Sequence, residues 1–230
     1  MGLEGWLLLL AALLNFGEAI RQQATIENMS SLTLIPPVRY NKVQSTLCRG
    51  GRPTLQNLLF LETFHLNTII SLTPQSIYNE DTESSKNIIE LIEARGINYV
   101  HFATDSSAKD KGKNREIPIT HEQVTQILEI ILRKDSGNTY LHCTNGGQIT
   151  SLVVACLRKV QLWSNVSIFD EFICYSSSAN HNDRIFVEEF VPRLKVPKKS
   201  DRMAWLWNGL NENVIINHPC LKQVEFVSCP

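Results

Sequence analysis

The sequence has 230 residues, of which 43% are hydrophobic and 20% are charged. These values are typical of one globular domain with short flanking segments, and the chain is long enough to bury a substantial core. The formal net charge of −1 excludes a general electrostatic attraction to nucleic acid or to an acidic membrane surface. Any site for an anion must therefore be built locally.

The first 28 residues are predicted to be an apolar extension that lies outside the working domain. Residues 6–14 form an apolar run that is too short to span a bilayer, so we expect no stable membrane insertion. The run is long enough for the core of a signal peptide, but no basic residue precedes it, and Met29 could be an alternative start. We expect a cytoplasmic protein, with the secretory pathway as the alternative if residues 1–28 are a genuine signal peptide.

The six cysteines have neither C-x-x-C pairs nor the His/Cys spacing of zinc sites. This pattern argues against a metal site, and nothing else in the sequence indicates a cofactor. An even number of cysteines could form disulfides in a secreted protein, whereas reduced and mostly buried thiols are expected in a cytosolic one. We expect reduced thiols, no metal and no cofactor.

Short apolar runs alternate with helical patterns along the chain. Strands are predicted at residues 66–73, 97–103 and 139–143, where branched apolar residues cluster. Helices are predicted at residues 54–64 (with Leu55, Leu58 and Leu59 on one face), 85–95 (ended by Gly96) and from Thr120, which forms a capping box with Gln123. This alternation predicts an α/β fold with a mostly parallel central sheet flanked by helices. Its ligand site is expected at the carboxyl ends of the strands.

The stretch "HCTNGGQIT", residues 142–150, follows the third predicted strand and leads into a long apolar helical pattern. A loop in this place directs backbone N–H groups and a helix dipole toward an anion, and the same field stabilises a thiolate. Cys143 is therefore the predicted nucleophile, and His142 is expected to orient the loop by hydrogen bonding. The predicted phosphate cradle is the backbone of the residues that follow: Thr144, Asn145, Gly146, Gly147, Gln148, Ile149 and Thr150.

A polar segment at residues 104–118 could complete such a site. Asp105 or Asp110 could be the acid that protonates a leaving group. The same segment could also lend positive charge to the loop through Lys109, Lys111, Lys113 or Arg115. The alternative is a solvated connector whose charges serve solubility. Arg49 and Arg52 are further candidates for lining the mouth of the site.

These segments resemble the plant and fungal atypical dual-specificity phosphatases, a cysteine-phosphatase family whose yeast members are the oxidant-induced cell-cycle arrest (Oca) proteins. The resemblance is carried by residues 47–74, 142–159 ("HCTNGGQITSLVVACLRK") and 176–190 ("SSSANHNDRIFVEEF"). It implies a phosphatase-like domain at residues 34–194. It also implies a phosphorylated protein or an inositol pyrophosphate as substrate, with other Oca-type proteins as partners. Residues 195–230 are left as a C-terminal tail that could dock on the domain or contact a partner.

The sequence departs from the family at one catalytic position. Cysteine phosphatases carry H-C-x5-R-[ST], and active members of this family usually read H-C-x-x-G-K-H-R-T-G. Here Ile149 replaces the arginine, while Gly147, Gln148 and Ser151 replace the lysine, the histidine and the last glycine. An arginine in this place grips two phosphate oxygens, which isoleucine cannot do. We expect a weakly active or inactive phosphatase-like protein, with a non-catalytic scaffold or a sensor of phosphate or inositol pyrophosphate as the alternative.

Overall fold

A five-stranded sheet forms the centre of the computed structural model, which describes residues 33–106, 115–221 and 223–227. Its strands are β1 (Asn41–Gln44), β2 (Leu47–Gly51), β3 (Thr68–Leu72), β4 (Asn98–His101) and β5 (Thr139–Cys143). The spatial order is β1-β2-β5-β3-β4, and every neighbouring pair is parallel except β1 and β2. The predicted mostly parallel sheet is confirmed, and β5 lies at its centre.

Helices cover the sheet. They are α1 (Leu58–Glu62), α2 (Glu83–Arg95), α3 (His121–Leu132), α4 (Gln148–Val160), α5 (Asn165–Ser176), α6 (His181–Glu189) and α7 (Glu212–Asn217). Gly96 ends α2 in the left-handed conformation, as a C-terminal glycine commonly does. Thr120 and Gln123 form the predicted capping box at the start of α3. Within the described residues, none of the helices has both the length and the apolar character that crossing a bilayer requires.

The two faces of the sheet bury separate sets of side chains. Successive residues of a strand point to opposite faces. Ile70 and Leu141 therefore pack in the larger core cluster, with residues of α3, α4 and α5. Their neighbours Ile69 and Tyr140 pack in a smaller cluster with Ile88 of α2. Strands buried on both faces explain the continuous apolar runs in the sequence.

The predicted helix at residues 54–64 is wrong in its details. The segment begins as a 3₁₀ turn at Leu55–Asn57 and continues as the short helix α1. A 3₁₀ turn has three residues per turn instead of 3.6, so the apolar face shifts along the segment. Leu55 and Leu59, both on the predicted apolar face, are 50% and 43% exposed, whereas Leu61 is buried.

The C-terminal segment docks on the domain, the first of its two predicted alternatives. Two short strands, β6 (Lys195–Pro197) and β7 (Glu225–Val227), pair in parallel. Val196 and Trp207 are buried in the larger core cluster. The indole Nε1 of Trp207 donates to the carbonyl oxygen of Val160 at 2.8 Å, which fixes the segment against the end of α4.

Candidate active site

A cavity of about 610 Å³ opens at the carboxyl end of the central strand β5. Such an edge is where α/β sheets bind ligands. The cavity is lined by Cys143 with its loop, by the chain on both sides of residues 107–114, and by four residues from elsewhere: Arg39, Pro74, Tyr175 and Ser176. The predicted nucleophile and the predicted polar segment therefore meet in one cavity.

Cys143 is the last residue of β5 and is almost completely buried. Its Sγ lies 3.8 Å from Oδ1 of Asn145. The same Oδ1 accepts a hydrogen bond from the backbone N–H of Gly147 at 2.9 Å. One N–H of the predicted cradle is therefore already bonded within the loop, and an anion that uses it must displace the side chain of Asn145.

The predicted cradle residues divide into two groups. Thr144, Asn145, Gly147, Gln148 and Ile149 line the cavity. Gly146 instead packs the loop against β2: its φ is +68°, and a Cβ atom there would lie 2.6 Å from backbone atoms of Gly50 and Gly51. Thr150 is buried at the start of α4, and its Oγ1 has no hydrogen-bond partner within the described part of the chain.

Arg49 supports the loop from beneath and does not line the mouth, so that prediction is wrong. The side chain is 1% exposed. Its Nη2 donates to the carbonyl oxygen of Gly146 at 2.9 Å and to Oγ of Ser151 at 2.7 Å. The guanidinium carbon lies 3.9 Å from the ring centroid of Tyr175. The serine that replaces the family glycine at position 151 thus gives Arg49 a second acceptor.

Arg49 keeps its positive charge although it is buried, and Arg52 is bound by a carboxylate. Desolvation lowers the pKa of Arg49 to about 10, with Tyr175 and Glu171 acting in the opposite direction, so the guanidinium stays charged at neutral pH. Arg52 forms an ion pair with Glu80 and is absent from the cavity lining. Neither arginine takes the position that the sequence interpretation offered it.

Asp105 is the acid candidate that the structure places in the cavity. It is exposed, it belongs to the cavity lining, and its backbone N–H donates to the carbonyl oxygen of Pro118 at 3.0 Å. Asp110 lies outside the described residues, as do the basic candidates Lys109, Lys111 and Lys113. The geometry therefore bears on only one of the two predicted acids.

Arg115 is not part of a solvated connector. It lines the cavity and is only 9% exposed. Its Nη2 donates to the carbonyl oxygen of Ser178 at 3.1 Å and forms an ion pair with the fully buried carboxylate of Asp183. The other oxygen of Asp183 accepts from Nε2 of Gln148 at 2.8 Å. Asp183 thereby connects Arg115 to the loop.

Sequence reasoning missed three residues that shape the cavity: Arg39, Tyr175 and Asp183. Arg39 lines the cavity and donates from Nη1 to the carbonyl oxygen of Asn145 at 2.9 Å. Its φ of +53° is rare for a residue other than glycine, and such conformations cluster at functional sites. Of these three residues, only Asp183 could have been recognised from its local sequence, because it completes a capping box with Asn180 at the start of α6.

His142 is buried behind the loop. Its Nδ1 lies 3.4 Å from the carbonyl oxygen of Cys143, and its ring stacks on Tyr140. Burial lowers the pKa of His142 to about 4, and the nearby charges of Arg52 and His101 act in the same direction, whereas the hydrogen bond to Cys143 opposes them. The side chain is therefore neutral at physiological pH.

The His142→Gln variant should have a flatter pH profile of stability than the wild-type protein. Between about pH 6.5 and pH 4, unfolded His142 binds a proton that the folded side chain excludes. The wild-type protein therefore loses stability as the pH falls through this window, by about 2 kcal/mol between pH 7.5 and pH 5. Chemical denaturation of both proteins at these two pH values measures the difference. Parallel profiles would contradict the assignment, since all other titratable groups are shared.

Neither a metal centre nor a disulfide is formed by the residues that the structure describes. Among the described residues, no group of three His, Cys, Asp or Glu side chains is arranged to hold a metal ion. The five described cysteines are free: Cys48, Cys143, Cys156, Cys174 and Cys220. Burial raises the pKa of Cys156 far above that of an ordinary thiol, so this residue is an inert part of the core.

The amino-acid profile of the tyrosine phosphatase family matches residues 34–209 of the chain. The match contains the Cys143 loop and all five strands of the central sheet. It also continues past residue 194, the predicted end of the domain, and includes the buried Trp207.

Two curated proteins illustrate the sequence similarity. The Saccharomyces cerevisiae protein named "Putative tyrosine-protein phosphatase OCA6" is 35% identical over 184 residues, which cover 76% of this chain and 80% of that protein. The inositol diphosphatase DSP2 of Oryza sativa subsp. japonica is 30% identical over 162 residues, covering 70% of this chain and 74% of that protein. Both similarities extend over most of the chain.

The fold is similar to that of a solved phosphatase. The core catalytic domain of the PP-IP phosphatase SIW14 from S. cerevisiae, in complex with citrate, superposes with a TM-score of 0.58 and is 26% identical. The aligned part covers 69% of this chain and 88% of that domain. A second structure of the Siw14 catalytic core gives a TM-score of 0.59 at the same identity.

Proposed function

This chain belongs to the tyrosine phosphatase family, and we propose that it binds a phosphate ester in the Cys143 cavity and hydrolyses it very slowly. One observation carries the proposal: Ile149 lines the same cavity as Cys143, in the place of the arginine that active relatives use to grip phosphate. The loop therefore has the nucleophile and the backbone amides of the family motif but lacks its positively charged side chain.

The chemistry of the site follows from its residues. The Cys143 thiolate attacks phosphorus as the bond from phosphorus to the leaving oxygen of the ester or anhydride breaks, and the departing oxygen takes its proton from Asp105. Water then hydrolyses the phosphocysteine and releases inorganic phosphate and the free thiol. The loop amides stabilise the charge of the transferred group, but the side chain of Ile149 contributes no donor. A transition-state arginine is worth about 10³ to 10⁵ in rate in other phosphoryl-transfer enzymes, so a residual activity is expected to be small.

An inositol pyrophosphate is the substrate class that we propose. Relatives of this chain are named inositol diphosphatase and PP-IP phosphatase. The cavity of about 610 Å³ has Arg39 and Arg115 in its lining, in addition to the loop. Two guanidinium groups outside the loop favour a ligand with more than one phosphate over a single phosphotyrosine.

A sensor that binds without hydrolysis is the second candidate. The same cavity favours it, because Arg39 and Arg115 line the cavity and can bind an anion, while Ile149 occupies the position of the catalytic arginine. In that case binding would change how the protein associates with its partners, for which we propose other Oca-type proteins.

The purified protein and its Cys143→Ser variant distinguish these functions. Hydrolysis is measured with an aryl phosphate, a phosphotyrosine peptide and an inositol pyrophosphate, and binding of the inositol pyrophosphate is measured by calorimetry. We expect the wild-type protein to bind the inositol pyrophosphate and to turn it over slowly, with no turnover in the variant. Binding with equal hydrolysis rates in both proteins would favour the sensor. Rapid wild-type turnover, or no binding at all, would overturn the proposal.

A further inference from the structure

We infer that Arg115 replaces the missing loop arginine as the guanidinium that binds the phosphoryl oxygens. The inference rests on the proposed binding of phosphate at Cys143. It assigns the ligand's strongest charged contact to a residue outside the H-C-x5-R motif, in the segment that precedes α3.

A residue that replaces the loop arginine must reach the same ligand. Arg115 can do so because it shares the cavity with Cys143 and Ile149. The charge that position 149 no longer provides is therefore available from another wall of the same cavity. Its neighbour Glu116 also lines the cavity, so the chain itself passes the site at this point.

The arginine is held in place at both its backbone and its side chain. Its carbonyl oxygen accepts hydrogen bonds from the side-chain amides of Asn180 at 3.1 Å and Asn182 at 2.9 Å. Its Nη2 is bound by the carbonyl oxygen of Ser178 and by Asp183. All four partners belong to the start of α6 or to the residues just before it. A guanidinium fixed in this way loses little conformational entropy when it binds a ligand.

One donor of Arg115 is left without an acceptor. The Nε atom is buried, and no hydrogen-bond partner lies within reach among the described residues. A buried donor without an acceptor destabilises the ligand-free protein. A guanidinium offers N–H donors in a fork that matches phosphate, so a ligand oxygen that reaches Arg115 can supply the missing acceptor.

Asp183 does not cancel the charge of Arg115 for this purpose. Its carboxylate is fully buried, so it cannot itself meet a ligand. It also accepts hydrogen bonds from Nε2 of Gln148 and from the backbone N–H of Asn180. The backbone N–H of Asp183 in turn donates to Oδ1 of Asn180. The negative charge is thereby shared among several donors, and Gln148 ties this network to the residue next to Ile149.

Binding of inorganic pyrophosphate tests the inference, with every variant made in a Cys143→Ser background to prevent turnover. We expect Arg115→Gln to weaken the affinity measured by calorimetry by about 10- to 100-fold, the value of one lost charge-assisted contact. Arg184→Gln is the matched control. It removes the same charge one position after Asp183, from an exposed side chain that is absent from the cavity lining.

Two further variants separate ligand binding from a structural role. Arg115→Gln/Asp183→Asn removes both buried charges together; it should keep the melting temperature near that of the background and still bind weakly. Adding Ile149→Arg to Arg115→Gln should restore the affinity, because the guanidinium returns from the loop. If Arg115→Gln binds normally, or if Ile149→Arg restores nothing, the inference is overturned while the proposed function stands. If the background protein binds no pyrophosphate, the inference is overturned, and if it also binds no inositol pyrophosphate, the proposed function is overturned with it.

Discussion

The Ile149→Arg variant is expected to hydrolyse an aryl phosphate about 10³ times faster than the wild-type protein. The nucleophile Cys143 and the acid candidate Asp105 already line one cavity with position 149. Ile149 is partly exposed there and also packs against the larger core cluster, so a longer side chain can extend into the cavity but gives up these apolar contacts. An arginine would place two parallel donors on the transferred phosphoryl group, which is what the backbone amides alone cannot do.

Three controls make this gain interpretable. Ile149→Lys supplies a positive charge without the bidentate fork and should recover only a small part of the rate. Ile149→Arg/Cys143→Ser should be inactive, which shows that the gain uses the loop cysteine. Rates are compared at saturating substrate, so that tighter binding alone does not count as catalysis. A folded Ile149→Arg protein that binds phosphate but stays inactive would show that the arginine is not the missing element.

The part of the fold that sequence predicted best depends on local periodicity. β3, β4 and β5 lie inside their predicted ranges. The fully buried strands β3 and β5 appear in the sequence as short apolar runs, whereas β4 lies at the edge of the sheet and is only partly buried. The loop at residues 142–150 was visible for a similar reason, since its strand, turn and helix are contiguous. Periodicity failed at residues 55–62, where a 3₁₀ turn changes the number of residues per turn before α1 begins.

The contacts that complete the site could not be predicted, because they join distant parts of the chain. Arg115 and Asp183 are separated by 68 positions, and Arg49 and Ser151 by 102. Nothing local marks such pairs. Arg49 also reversed the usual expectation that arginine lies at the surface. Its burial is stabilised by the loop carbonyl of Gly146 and by the hydroxyl of Ser151, a residue that the sequence showed only as a departure from the family.

The contact between the loop and β2 is the structural feature on which the site depends most, and Gly146→Ala is expected to destabilise the protein by about 3 kcal/mol or more. The left-handed conformation at Gly146 costs a residue with a Cβ atom about 1 to 2 kcal/mol. The new methyl group would also lie 2.6 Å from the backbone of Gly50 and Gly51, and overpacking of this kind costs about 1 to 3 kcal/mol more. The loop can relieve the clash only by moving away from β2, which would also weaken phosphate binding.

Gly96→Ala is the matched control for this prediction. Gly96 has a φ of +61°, close to the +68° of Gly146, but no atom lies within 4 Å of its added Cβ among those described. It should therefore lose only the conformational part, about 1 kcal/mol. Chemical denaturation measures the free energy of unfolding of both variants. The difference between their losses is the contribution of the close packing of the loop against β2. Equal losses would mean that the strand does not hold the loop, and the geometry at Cys143 would then have to be maintained by side-chain contacts such as those of Arg49 and Arg39.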